Sequence, residues 1–110
     1  MKQFDIYYWQ PPKWTEPHPV VIVSHPDRVA RKDPIEVVAC STQRARRQPE
    51  ASEVLLDEAD GLDWATLCHC DLIYAAPRAD LKLHKGHVAE ARKAPLVRTI
   101  IAAHGWAAVF

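Results

Sequence analysis

The stretch EPHPVVIVS (residues 16–24), followed after a basic loop by EVVACSTQ (residues 36–43), decides the fold. Both are apolar β-type runs that close on small hydroxyl residues, and they predict strands over Val20–Ser24 and Ile35–Cys40. Upstream, Phe4–Trp9 (FDIYYW) is aromatic and β-branched. Pro11 and Pro12 stop it, since proline fixes φ and removes a ladder donor, so it predicts a first strand. Pro26 and the charged residues after it make a loop or a short helical turn. Downstream, Ser52–Leu56 predicts a short strand between Pro49 and an acidic turn ending at Gly61, and Thr66–Ala75, apolar and proline-free until Pro77, suits a central strand. Leu81 and Leu83 flank Lys82 in an alternating piece that Gly86 is expected to break. Val88–Lys93 reads as a short helical turn, and Pro95 as the first turn of a final helix running to His104, with Gly105 as its stop. Leu96, Ile100 and Ala103 fall at helical spacing, and Val97 and Ile101 widen the stripe. The expected fold is α+β and mainly β: a small SH3-like antiparallel β-barrel closed by a C-terminal helix.

A chain of 110 residues predicts one domain over residues 1–110. The N-terminus lacks the apolar core of a signal peptide and no run approaches membrane-spanning length, so a cytoplasmic protein without membrane contact is expected. Cys40, Cys68 and Cys70 all lie in strand-like runs, which predicts reduced, partly buried thiols rather than a disulfide framework. The formal net charge is zero, but its distribution is uneven. Arg28, Arg31, Lys32, Arg44, Arg46 and Arg47 crowd the loops around the 35–40 run, and Glu50, Glu53, Asp57, Glu58, Asp60 and Asp63 crowd the next segment. The basic group reads either as solvated loops or as a phosphate-contacting patch.

Groups able to transfer a proton or bind phosphate collect near strand ends. His18 stands just before the first run, and Ser41 and Thr42 close the second. His18, between Pro17 and Pro19, is either an exposed loop histidine or an acid–base group. Ser41 and Thr42 either form a strand-end turn or donate to a substrate, and Tyr74 either packs in the core or stacks on a base. The Cys68-His69-Cys70 triplet invites a metal reading, but strand alternation sends the thiols to one face and His69 to the other, and no second Cys or His pair lies at zinc-finger spacing. His84 and His87 lack a paired carboxylate motif and read as surface residues. With three glycines and no phosphate loop, nucleophile elbow or dinucleotide fingerprint, nucleotide hydrolases and dinucleotide enzymes are excluded.

The order of motifs resembles the MazF/PemK (Kid) family of toxins from type II toxin–antitoxin modules. The matching pieces are Phe4–Trp9, the strand from His18 to Ser24, Val37–Thr42, Gly61-Leu62, the strand through Cys70 and the helix ending at Gly105, spanning nearly the whole chain. The resemblance implies a metal-independent endoribonuclease that cuts single-stranded RNA, needs no cofactor, forms a homodimer and is neutralised by a cognate antitoxin. Trp9, Trp14 and Trp106 are read as exposed aromatics that would serve the dimer.

Several family positions differ. The family's Arg before Pro is His18, its hydroxyl is Ser41 or Thr42, its second-half Arg falls on Ile73 or Tyr74, and its Gly near the start is absent. Metal-free RNA cleavage needs a base for the 2′-hydroxyl, an acid for the leaving oxygen, and donors or cations for the phosphorane. His18, Ser41 and Thr42 are the candidate catalytic residues, and Arg44, Arg46, Arg47 and Tyr74 the candidate RNA-binding ones. CcdB-like DNA gyrase-binding toxins, thought to share the barrel, give the alternative. Their chains likewise open on a tyrosine-rich strand and end in an apolar helix with a Gly-Trp pair, here Gly105-Trp106 and the tail to Phe110, which is otherwise read as a strand or clamp finishing the core or dimer contact. A catalytically inactive interaction domain of the same fold is the third reading.

Overall fold

Six strands build one antiparallel sheet in the computed structural model, which describes residues 1–109. They are β1 (Asp5–Trp9), β2 (His18–Ile22), β3 (Ile35–Cys40), β4 (Glu53–Leu56), β5 (Thr66–Ala76) and β6 (Lys82–His87), ordered β4-β5-β3-β2-β1-β6, with helices α1 (Pro26–Arg31) and α2 (Glu90–Ala103). The central strands are uninterrupted apolar runs because both of their faces are covered. On one face Ile6, Val21, Val38, Cys40 and Cys70 pack under Leu96 and Ile100 of α2. On the other, Trp9, Val20, Ile22 and Val37 pack with Val29 of α1 and Leu81. Each fully buried aliphatic side chain contributes about 1.5–3 kcal/mol.

The sheet curls into a half-barrel. The turn after β4, Glu58–Asp60 with Gly61, lies against β6, and a Cβ on Gly86 would stand 2.1 Å from the Asp60 carbonyl oxygen. Glycine at 86 lets the two backbones meet, so β6 runs through Gly86 and the expected break there is overturned. The same end of β6 is tied to β1 through the buried Asp5, which accepts from Lys2 N at 2.8 Å and His87 Nδ1 at 2.8 Å, with His84 Nε2 at 3.4 Å. Burial alone would raise the Asp5 carboxyl, but hydrogen bonds from His87 and Lys2 and the charges of His84 and His87 together hold it below its ordinary value. The two histidines read as surface residues are half-exposed partners of one buried carboxylate.

Other boundaries also move. β2 begins at His18 rather than Val20 and ends at Ile22; Pro19 is accepted at the strand's opening end, opposite Tyr8. Ser24 lies outside it, where its hydroxyl accepts from Glu36 N at 2.8 Å and donates to the Glu36 carboxylate. The expected turn at Val88–Lys93 and separate helix from Pro95 are one helix, Glu90–Ala103, with Pro95 inside. Its first turn is fixed from outside: Asp60 Oδ1 accepts from Ala89 N at 2.8 Å, and Arg92 bonds both Asp57 and Asp60, so losing one backbone hydrogen bond at Pro95 does not divide it. Val97 is exposed, narrowing the buried stripe to Leu96 and Ile100. Trp106–Val109 is an exposed 3-10 turn, not a strand or core clamp, with Trp106 stacked on His104 at 4.7 Å; Phe110 lies outside the described residues. Trp9 is buried and Trp14 half-buried, which leaves Trp106 as the exposed member of the three. No helix among the described residues is long and apolar enough to cross a membrane.

Candidate active site

Register decides which side chains meet. Val20 pairs with Ala39, Ala39 with His69, and Val37 with Tyr74. Opposed residues share a sheet face, as do alternate residues along a strand, so His18, Ser41, His69 and Tyr74 all fall on the face away from α2. All four line one groove of about 570 Å³, bounded also by Lys13 and Trp14 from the β1–β2 loop.

His18 is half-buried, its ring 4.4 Å from that of Trp14, which in turn packs edge-on against Tyr74 at 5.3 Å. Its Nδ1 lies 2.9 Å from the Cys40 carbonyl oxygen. A carbonyl only accepts, so Nδ1 carries the hydrogen and Nε2 is the ring nitrogen left for acid–base work. Ser41 follows β3 directly; its Oγ accepts from Gln43 N at 3.1 Å, which leaves the hydroxyl proton to donate. Of the two positions weighed for the family's second-half arginine, Ile73 packs into the core under α2 and Tyr74 lines the groove.

His69 is the member that sequence reasoning missed. Strand alternation turned it away from Cys68 and Cys70, and the same alternation places it in the groove. It sits opposite Glu53 of β4, whose Oε2 is 3.2 Å from His69 Nδ1. The Glu53 side chain is 6% exposed and makes a bidentate pair with Arg47, 2.6 and 2.9 Å. The Arg47 guanidinium, the Glu50 N–H, and the charges of Arg47 and His69 outweigh desolvation and draw the Glu53 carboxyl down to about 2. The folded value lies below the unfolded one of about 4.5, so this pair's contribution to stability is complete above pH 4.5 and is lost as pH falls through about 2. Acid unfolding of the native chain is expected to steepen over that window, and Glu53→Gln to flatten it; identical acid-unfolding curves would remove Glu53 from this role.

The basic residues divide. Arg44 and Arg46 line an adjoining cavity of about 380 Å³ that shares Ser41 and His69 with the groove, and Arg44 lies 5.8 Å from the centre of the Trp64 ring. Arg47 lines it too, but its guanidinium is engaged by Glu53. Thr42 lines a third cavity that also holds Ser41, where its Oγ1 donates to Glu16 Oε1 at 2.6 Å. Ser41 therefore lines all three cavities, one of which carries Arg44 and Arg46 and another the Glu16 carboxylate.

Cys40, Cys68 and Cys70 are buried free thiols. Hydrogen bonding to Cys68, then burial, pushes the Cys70 thiol far above its ordinary value, so it is not poised as a nucleophile. No group of three or more His, Cys, Asp or Glu among the described residues is arranged to hold a metal ion.

No family profile matches the sequence, and no curated protein matches it. Solved structures do. The MazF-mt6 toxin of Mycobacterium tuberculosis is 22% identical with a TM-score of 0.78, over 92% of this chain and 96% of that one. An endoribonuclease from Mycobacterial species, in complex with its cognate antitoxin, is 19% identical with a TM-score of 0.82, over 96% and 95%. A structure described as an Mtb toxin is 21% identical with a TM-score of 0.73, over 89% and 98%. The chain has the MazF toxin fold, with the six-stranded antiparallel sheet and C-terminal helix expected from the sequence.

Proposed function

We propose that this protein is the toxin of a type II toxin–antitoxin pair: a cytoplasmic endoribonuclease that cuts single-stranded RNA without a metal, works as a homodimer and is neutralised by an antitoxin. The observation that carries this reading is the convergence of two imidazoles and a serine hydroxyl on one groove of a MazF fold, beside an adjoining cavity lined by Arg44 and Arg46, which form no ion pair among the described residues.

In the proposed reaction His69, oriented by the Glu53 carboxylate, accepts the 2′-hydroxyl proton. The 2′-oxygen bonds to phosphorus, the bond from phosphorus to the 5′-oxygen breaks, and His18 protonates that leaving oxygen, giving a 2′,3′-cyclic phosphate and a 5′-hydroxyl. Ser41 and Arg44 stabilise charge on the non-bridging oxygens. β3 lies between β2 and β5, so base and acid stand about two strand spacings, on the order of 10 Å, apart across the sheet, with Ser41 between them.

Purified protein is expected to cut a mixed-sequence single-stranded RNA in excess chelator, and His18→Ala combined with Ser41→Ala to abolish the cutting. The exposed Trp106–Val109 turn is the feature that favours the gyrase-binding alternative. RNA left intact while DNA supercoiling stops would transfer the reading to that alternative, and neither effect would end both.

A further inference from the structure

We infer that the cavity on the Thr42 side of Ser41 is a nucleobase pocket in which Glu16 selects a base carrying an exocyclic amino group and rejects uracil. This rests on the ribonuclease reading. The cavity, about 220 Å³, has aromatic walls from Tyr8 and Trp64 and opens directly beside Ser41. Trp64 is 38% exposed, and Arg44 stands over its ring, so it offers a π-face next to a phosphate-binding cation. Stacking on such a face is worth about 1–3 kcal/mol per base and does not discriminate among bases.

Discrimination comes from the carboxylates. Asp63 is already held by Lys85 Nζ at 2.8 Å. Glu16 has no cationic partner within 4 Å among the described residues; Thr42 donates to its Oε1, which fixes the carboxylate and leaves Oε2 to accept. The Glu16 carboxylate repels phosphate, whereas Arg44 and Arg46, which line the adjoining cavity that also holds Ser41, attract it, so the backbone belongs in the arginine-lined cavity and the base in the one that holds Glu16. A carboxylate accepts from the amino groups of cytosine and adenine, and from the adjacent N1–H and N2 amino group of guanine together. The single N3–H of uracil is flanked by two carbonyls that face the carboxylate with like charge. In this arrangement Thr42 is a positioning residue that acts through Glu16.

The test uses the intact protein and two readouts. Binding of 3′-GMP, 3′-CMP, 3′-AMP and 3′-UMP is measured by titration calorimetry, and the break points in a randomised single-stranded RNA are sequenced. The amino-bearing nucleotides are expected to bind about tenfold tighter than 3′-UMP, or about 1.4 kcal/mol. Glu16→Gln, which both donates and accepts, brings 3′-UMP to within threefold of the others and admits uracil at the position beside the break. Trp64→Ala weakens all four nucleotides alike. Equal binding of the four, or a preference that survives Glu16→Gln, overturns the pocket. Cutting with no base preference beside the break overturns it while leaving the nuclease intact. Nucleotide preference without any cutting upholds the pocket and removes the nuclease, and neither preference nor cutting removes both.

Discussion

Replacing His69 by alanine is expected to lower single-turnover cleavage of RNA by about 10²- to 10⁴-fold, the usual contribution of one positioned proton-transfer group. Glu53 is ionised throughout the neutral range because Arg47 grips both of its oxygens, and an ionised carboxylate only accepts hydrogen bonds. His69 Nδ1, 3.2 Å from Glu53 Oε2, therefore bears the hydrogen, and the Nε2 lone pair is the one that takes a proton from substrate. Glu53→Gln keeps the shape but lets the side chain present an N–H, which permits the wrong tautomer. It is expected to slow cleavage less than His69→Ala does and to change the pH profile, a readout that a purely structural role would not move. His69 is 46% exposed on its strand, so His69→Ala should leave the melting temperature nearly unchanged. A rate within a few-fold of wild type, with the fold intact, would take the base role away from His69.

The sheet was legible because its signal is local. VVI and EVVAC could only be strands, and their ends fell within two residues of the observed ones, since a β-branched run bounded by proline and hydroxyl residues has few alternatives. The helix was divided at Pro95 because proline is a strong local signal, whereas what carries α2 through it is non-local: Asp57 and Asp60, some thirty residues upstream, hold Arg92 in the preceding turn. Gly86 misled for the same reason, its role being set by the Asp60 carbonyl across the half-barrel. In the site, the face shared by His18, Ser41 and Tyr74 follows from strand alternation once the register is known, but register is not written in any one strand. His69 was hidden because strand alternation, which already argued against a metal at Cys68-His69-Cys70, gave it no partner of its own until Glu53 is seen opposite it. Arg47 could not be told from Arg44 or Arg46 in a run of like charges; only the pairing of β4 with β5 puts a buried carboxylate beneath it.

Asp60→Ala is expected to destabilise the protein by about 3–5 kcal/mol, the cost of removing one partner from a buried ion pair. Asp60 is 1% exposed and accepts three hydrogen bonds: from Asp57 N at 2.8 Å, Ala89 N at 2.8 Å and Arg92 Nη1 at 2.5 Å. Alanine leaves two backbone N–H groups and a guanidinium without that partner, and Asp57 recovers only part of the last, through its own bonds to Arg92 at 2.7 and 3.0 Å. Domains of this size are stable by about 5–15 kcal/mol, so the loss is a large share of the total and should lower the melting temperature by on the order of 10–20 °C. Asp60→Asn, which keeps one acceptor oxygen, should fall between. The same turn opens the segment that carries Trp64, so a milder variant that stays folded should also loosen the wall of the cavity beside Ser41 and weaken nucleotide binding before it unfolds the sheet. A melting temperature within about 3 °C of wild type for Asp60→Ala would show that Arg92 and Asp57 hold the start of α2 against the sheet by themselves.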